Sequence, residues 1–218
     1  MGSKFYDSAV REIFHILNSA PRAKYHLLHA RNVLQWVEKV ARNRFDNGDT
    51  CINVDDVLKI AALGHDIECA LPGSLHRSAY QDYVSYRQSS HKKSGGIIAD
   101  IMQKSGASEE EAHRGFNIVK NHEQGASDFA SQLLCDADAL SYCDVLITFE
   151  HDRYLSIDDI AKKIHWECHR MSTHAFSFVV DFHYACLPKL NSVMHSVLKE
   201  HGIDTTKSKL SDKCKISS

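Results

Sequence analysis

Apolar side chains recur every three to four positions along almost the whole of this chain, and that spacing restricts it to packed helices. "KFYDSAVREIFHILNSA" sets Phe5, Val10, Ile13, Phe14 and Leu17 along one face, and Pro21 ends the pattern. "YHLLHARNVLQWVEKVARNRF" repeats it through Leu28, Val33, Leu34, Val37 and Val40, up to the turn signal "DNGDT". "NVDDVLKIAALGHDIE" reads as a third helix, with Asn53 as N-cap and Asp55 and Asp56 at its positive end. A loop, "LPGSLHRSAY", and a short Tyr-rich segment to Arg87 follow, and the next helix is expected to start near His91. Ser108 and Glu111 make a capping box for the helix that ends in "FNIVKNH". "FASQLLCDADALSYCDVLITF" is helical again, Ser156 and Asp159 cap "IDDIAKKIHWECHRM", and a last helix covers 174–200 with a kink at Pro188. No hairpin or repeat interrupts the series. The fold class is all-α, a helical bundle.

A chain of 218 residues can bury roughly 70% of its unfolded surface, so its core needs no disulfides. The helical pattern is that of one domain over residues 1–201, with C-terminal helices at 157–201 and a polar, disordered tail at 202–218. Seven cysteines are scattered without a C-x-x-C pair, which reads as reduced thiols. No run approaches the ~18 apolar residues of a membrane span, and the start lacks a signal-peptide core. The expectation is a cytoplasmic protein with no membrane partner. A formal charge of −2 gives no reason to expect a nucleic-acid partner.

Histidine is the unusual count, at fifteen. "AALGHDIECA" sets His65 and Asp66 side by side near the end of an apolar helix, where an uncompensated carboxylate is costly. Adjacent helical residues point about 100° apart, so both reach one point only near a helix end or obliquely. His29 lies on the second helix, His91 opens a later one, His122 closes another, and Asp138 sits inside "LLCDADALSYCDV".

The spaced order H…HD…H…H…D resembles the signature of the HD superfamily, whose members are helical and mostly metal-dependent phosphohydrolases. "HLLHARNV", "LKIAALGHDIE", "HKKSGGIIADIM", "IVKNHE" and "LLCDADALSYCDV" each resemble the family's ligand-bearing segments, over roughly residues 22–150. The resemblance implies an HD-domain helical bundle that holds two divalent metal ions (Mn, Fe, Ni, Co or Mg). His29, His65, Asp66 and Asp138 would hold one, and Asp66, His91 and His122 the other, with Asp66 as the bridge. Imidazole and carboxylate suit such cations. The family pattern "ADxL" falls on Ala137, Asp138 and Leu140, which favours Asp138 over its alternative, Asp136. In some branches Lys or a catalytic Glu follows the HD aspartate by three positions. Here Cys69 stands there, and Glu68, one residue earlier, is the candidate general acid beside the catalytic Asp66. Asn121 of "NHEQG" replaces the first histidine of the "HHE" found in some branches.

The implied activity is hydrolysis of a small-molecule phosphate ester, including nucleotides, by a metal-activated water. Lys92, Lys93, Arg87, Lys163 and Arg170 are the candidates for holding the phosphate, with Lys120 nearby in sequence. The same ligand set also serves HD-type diiron oxygenases, and an idle scaffold that binds a nucleotide or partner protein is a third reading. Metal identity separates the first two.

Overall fold

In the computed structural model, residues 3–46, 53–123, 128–146, 156–179 and 188–203 are described. Among them every regular element is helical, as the periodicity requires. The helices are α1 (Lys4–Ser19), α2 (Ala23–Asp46), α3 (Asp56–Gly64), α4 (Tyr83–Lys104), α5 (Glu109–Asn121), α6 (Phe129–Ser141), α7 (Ile157–Arg170), α8 (Phe176–Val179) and α9 (Pro188–Glu200). The chain divides into two compact units, Met1–Ala137 and Asp138–Ser218. The division falls inside α6, whereas the sequence reading divides the chain only at residue 201. No described helix is long and apolar enough to cross a membrane.

In the first unit α3 is the hub, packed by α1, α2, α4 and α5. Val57, Leu58, Ile60, Ala61, Ala62, Leu63 and Gly64 are all buried and only Asp56 and Lys59 are half-buried, so this helix is apolar over most of its circumference rather than along one stripe. Its N-cap is Asp55, not Asn53: the Asp55 carboxylate accepts the Leu58 N–H at 3.0 Å. Asp56 accepts the Ser3 N–H at 2.7 Å and ties the start of the chain to the same helix end. On α1, Phe5, Ala9, Ile13 and Leu17 are buried. On α2 the buried stripe is Ala30, Val33, Trp36, Val37, Val40 and Ala41, while Leu28 is exposed.

Helix α4 starts at Tyr83, eight residues before the expected start, because Asp82 caps it by accepting the Ser85 N–H at 2.7 Å. His91 therefore lies within α4 and is carried on a rigid element. The capping box on α5 forms as expected: Ser108 Oγ accepts the Glu111 N–H and the Glu111 carboxylate accepts the Ser108 N–H.

In the second unit Ser156 caps α7 by accepting the Asp159 N–H at 3.2 Å, and α7 packs on α9. Of the expected helix over 174–200, the described residues hold α8 and α9, and residues 180–187 between them, next to the expected kink at Pro188, lie outside the described residues. The expected tail at 202–218 lies, beyond Ile203, outside the described residues.

Two adjacent glycines of α4 test how tightly the first unit is packed. A Cβ on Gly95 would stand 2.9 Å from the Phe116 carbonyl oxygen on α5, and that backbone atom cannot turn aside. A Cβ on Gly96 would meet nothing within 4 Å. Gly95→Ala should lower the melting temperature, since overpacking costs about 1–3 kcal/mol and outweighs the ~1 kcal/mol gained in helix propensity. Gly96→Ala should leave it unchanged or raise it. Thermal melts of the two variants check this.

Candidate metal centre

Helix α3 ends at Gly64, and this break brings His65 and Asp66 to one place. His65 keeps helical angles (φ −57°, ψ −32°), Asp66 turns to φ −109°, ψ 19°, and a 3₁₀ turn runs from Ile67 to Ala70. Gly64 lets α4 approach closely, because a Cβ there would stand 2.1 Å from Ile98 Cδ1. The α3 end, α4 and the end of α5 thus carry His65, His91 and His122, all at most 1% exposed. His29 on α2 is 6% exposed.

Hydrogen bonding aims these rings. His65 Nδ1 lies 3.0 Å from the Ala62 carbonyl and His122 Nδ1 lies 2.7 Å from the Val119 carbonyl. A carbonyl only accepts, so each Nδ1 carries the proton and each Nε2 keeps its lone pair, as metal-ligating histidines require. His29 Nε2 and His65 Nε2 are 3.1 Å apart, a separation that one bridging proton or one shared cation satisfies. Asp66 Oδ2 lies 3.9 Å from His29 Nε2 and 3.7 Å from His65 Nε2, while Oδ1 lies 3.8 Å from His91 Nε2. Its two oxygens thus face different histidines.

Burial first, then the Arg87 guanidinium and His122, hold His91 well below the usual imidazole range, so its ring is neutral. Among the described residues neither of its nitrogens has a hydrogen-bond partner. Ligands about 2.1 Å from one ion stand about 3.0–3.4 Å apart at the angles of octahedral and tetrahedral sites. The observed separations need only small closure to fit. The ligand-type atoms of His29, His65 and Asp66 all lie within 4.8 Å of one another, and so do those of His91, His122 and Glu123. The buried His, Asp and Glu groups can therefore hold metal ions.

Glu123 was missed in the sequence, although it follows His122 directly in "NHEQG". Its partner is Arg87, whose Nε lies 3.2 and 3.1 Å from the two Glu123 oxygens and whose Nη2 lies 2.5 Å from Oε1. Arg87 Nη2 also stands 3.6 Å from Asp66 Oδ1. Burial works against the Arg87 charge, but Glu123 and Asp66 outweigh it and keep the guanidinium protonated.

Glu68 is fully buried, with its carboxylate turned to the following loop. It accepts from the Leu75 N–H at 2.5 Å, from Ser90 Oγ at 3.0 Å and from Lys93 Nζ at 3.3 Å. This is the geometry of a loop clasp. Lys93 also reaches the Gly73 carbonyl at 3.5 Å, while Lys92 is exposed on α4. The Lys120 ammonium sits 5.8 Å from the Phe116 ring centroid.

In the second unit Asp138 is buried and accepts from Arg170 Nη2 at 2.7 Å, and Arg170 also holds Glu167. The Lys163 ammonium lies 4.1 Å from the Tyr142 ring centroid. In the first unit Asp136 accepts from Gln132 Nε2 at 2.9 Å and faces Arg44 at 3.6 Å, the Gln132 side that its helical register indicates.

A cavity of about 390 Å³ opens on Asp66, between Arg22, Tyr25 and His26 on one side and Ser74, Tyr86 and Arg87 on the other. Of the cations singled out in the sequence, Arg87 belongs to its lining; Arg22, Tyr25 and Ser74 carried no sequence signal. A wider depression of about 700 Å³ between α4 and α5, lined by Gln103, Glu109 and His113 among others, includes none of the clustered residues.

The fold and site define a class: all-α proteins with clustered, buried histidines and carboxylates able to hold metal. Within it, residues 13–193 match a family described as a domain of unknown function, DUF4202, and the chain belongs to that family. No curated protein and no solved structure matches it.

Glu68→Ala should therefore destabilise the protein without preventing metal binding. Each buried donor it leaves unsatisfied costs about 1–3 kcal/mol, to be read from a thermal melt beside a metal titration. Loss of metal binding with stability intact would restore Glu68 to the centre. Burial, then Asp66, pushes the Cys69 thiol from its ordinary 9.0 up to about 12, and burial pushes the Tyr86 hydroxyl up to about 12. The folded state thus favours both protonated forms. Stability should be full below the ordinary thiol value near 9 and decline as pH rises towards about 12. At pH 8.5 Cys69 should resist iodoacetamide in the folded protein and react readily after denaturation, which peptide mapping by mass spectrometry resolves.

Proposed function

We propose that this protein is a divalent-metal phosphohydrolase of HD type that cleaves a small phosphate ester. His29, His65 and Asp66 would hold one cation, and Asp66, His91 and His122 a second. The observation that carries the reading is the position of Asp66, whose Oδ2 faces His29 and His65 while Oδ1 faces His91. A carboxylate shared by two cations needs that disposition. The order H…HD…H…H…D supports the same assignment.

When bound, divalent cations supply a nucleophilic water at neutral pH and offset the charge of the phosphoryl oxygens. The chain's own contribution is orientation. Backbone carbonyls of Ala62 and Val119 fix the lone pairs of His65 and His122, and the ring of His91 stays neutral. The cavity of about 390 Å³ beside Asp66 falls in the range of small-molecule sites. Its cationic edge is Arg87, with Arg22 across it, so these replace Lys92 and Lys93 as the residues proposed to meet the phosphate. Glu68 is left with the loop rather than with proton transfer.

The direct test is elemental analysis of the purified protein, then a panel of phosphate esters assayed with Mn²⁺-, Ni²⁺- and Fe²⁺-loaded protein. Phosphate release is expected. Bound iron with oxygen consumption and no phosphate release would overturn the hydrolase in favour of the diiron oxygenase.

Asp66→Ala should abolish metal binding and turnover together. The His91→Ala His122→Ala double variant should retain about one metal per chain. Two metals still bound in that double variant would reject the dinuclear assignment.

A further inference from the structure

Glu123 is in two groupings at once. Its carboxylate lies with His91 and His122 in a group of ligand-type atoms within 4.8 Å of one another. The same carboxylate is straddled by Arg87, through Nε at 3.2 and 3.1 Å and Nη2 at 2.5 Å, and Nη2 also stands 3.6 Å from Asp66 Oδ1. Arg87 therefore holds the two carboxylates that a cation on His91 and His122 would use. A guanidinium and a divalent cation repel each other, and one carboxylate with both oxygens on the first is poorly placed to ligate the second. The alternative place for Arg87 is the adjoining cavity, whose lining it already shares with Asp66, Arg22 and His26. An anion there would give its charge a new partner.

We propose that Arg87 and the second cation exchange on Glu123. The second metal takes Glu123 as an additional ligand when Arg87 turns into the cavity to meet an anion, so phosphate binding and second-metal binding favour each other. The coupling is reciprocal by linkage: a phosphate that draws Arg87 away tightens the metal, and the metal tightens the phosphate. This rests on the dinuclear reading above and adds to it a substrate-dependent loading of one site.

The experiment is a Mn²⁺ titration by calorimetry, with electron paramagnetic resonance to read spin coupling between paired ions. It is run with and without inorganic phosphate, with free Mn²⁺ corrected for phosphate complexation. In wild type, phosphate should tighten the second Mn²⁺ by at least about fivefold, the low end of typical couplings. Arg87→Gln should bind the second Mn²⁺ more tightly than wild type without phosphate, and phosphate should then have no further effect. Arg87→Lys keeps the buried charge but cannot straddle both Glu123 oxygens, so it serves if the glutamine variant fails to fold. It should bind the second Mn²⁺ more tightly than wild type and respond less to phosphate. Glu123→Gln should weaken the second site alone. If wild type takes two Mn²⁺ but the Arg87 variants are no tighter, or phosphate still acts in Arg87→Gln or acts undiminished in Arg87→Lys, the exchange is wrong and the dinuclear reading stands. A wild type that never takes a second Mn²⁺ overturns both.

Discussion

A largely buried helix that ends in a histidine and an aspartate is the constraint around which the first unit is arranged. Helix α3 is buried from Ile60 through Gly64, so its C-terminal end cannot resolve the charge of Asp66 by exposing the segment. The chain instead breaks the helix after Gly64, leaves the Asp66 side chain 24% exposed towards the cavity, and surrounds it with imidazoles and one guanidinium. Each partner depends on a packing decision made elsewhere. Gly64 allows α4 to come close, Gly95 allows α5 to come close to α4, and those approaches set the distances among His65, His91 and His122.

The balance of charge at this end favours a neutral His91 ring and paired carboxylates. An isolated buried ion is expensive, and a buried pair left with one partner is costlier than either the pair or none. Glu123 beside Arg87 and Asp136 beside Arg44 in the first unit follow that rule, as does Asp138 beside Arg170 in the second. His91 solves the same problem by staying uncharged, which keeps a lone pair available in a place where protonation is disfavoured. Structural pairing and metal readiness are therefore set by the same desolvation.

Much of the helical order was legible in the sequence because local signals and burial agree there. The Ser108–Glu111 capping box, the Ser156 cap and the end of α1 before Pro21 all rest on local chemistry alone. The His and Asp positions were legible as an order, H…HD…H…H…D, but not as a geometry. The caps of Asp82 and Asp55 are local too, each accepting from the backbone N–H three residues on, and the sequence offered several such residues without ranking them. What the sequence hid otherwise was tertiary. Leu28 is exposed because the α2 stripe follows Ala30 and Trp36 instead. Glu68 and Glu123 could not be sorted by spacing, since one turns to the Leu75 loop and the other to Arg87 and His91.

The same pairing rule narrows what can greet a substrate. Nearness to the histidines along the chain singles out Lys92, Lys93 and Arg87, the C-terminal helices add Lys163 and Arg170, and the same segments also bring carboxylates. Lys93 is thereby drawn to Glu68, and Arg170 to Asp138 and Glu167. A cation bound to a buried carboxylate is a poor anion receptor unless something else takes over that carboxylate. Arg87 differs because its carboxylate, Glu123, has a second suitor in the group it forms with His91 and His122, and because the side chain already borders open space. A cation there can change partners without leaving a buried charge alone at either end. That freedom, rather than proximity in sequence, is what would fit Arg87 to link the proposed metal site to the cavity beside it.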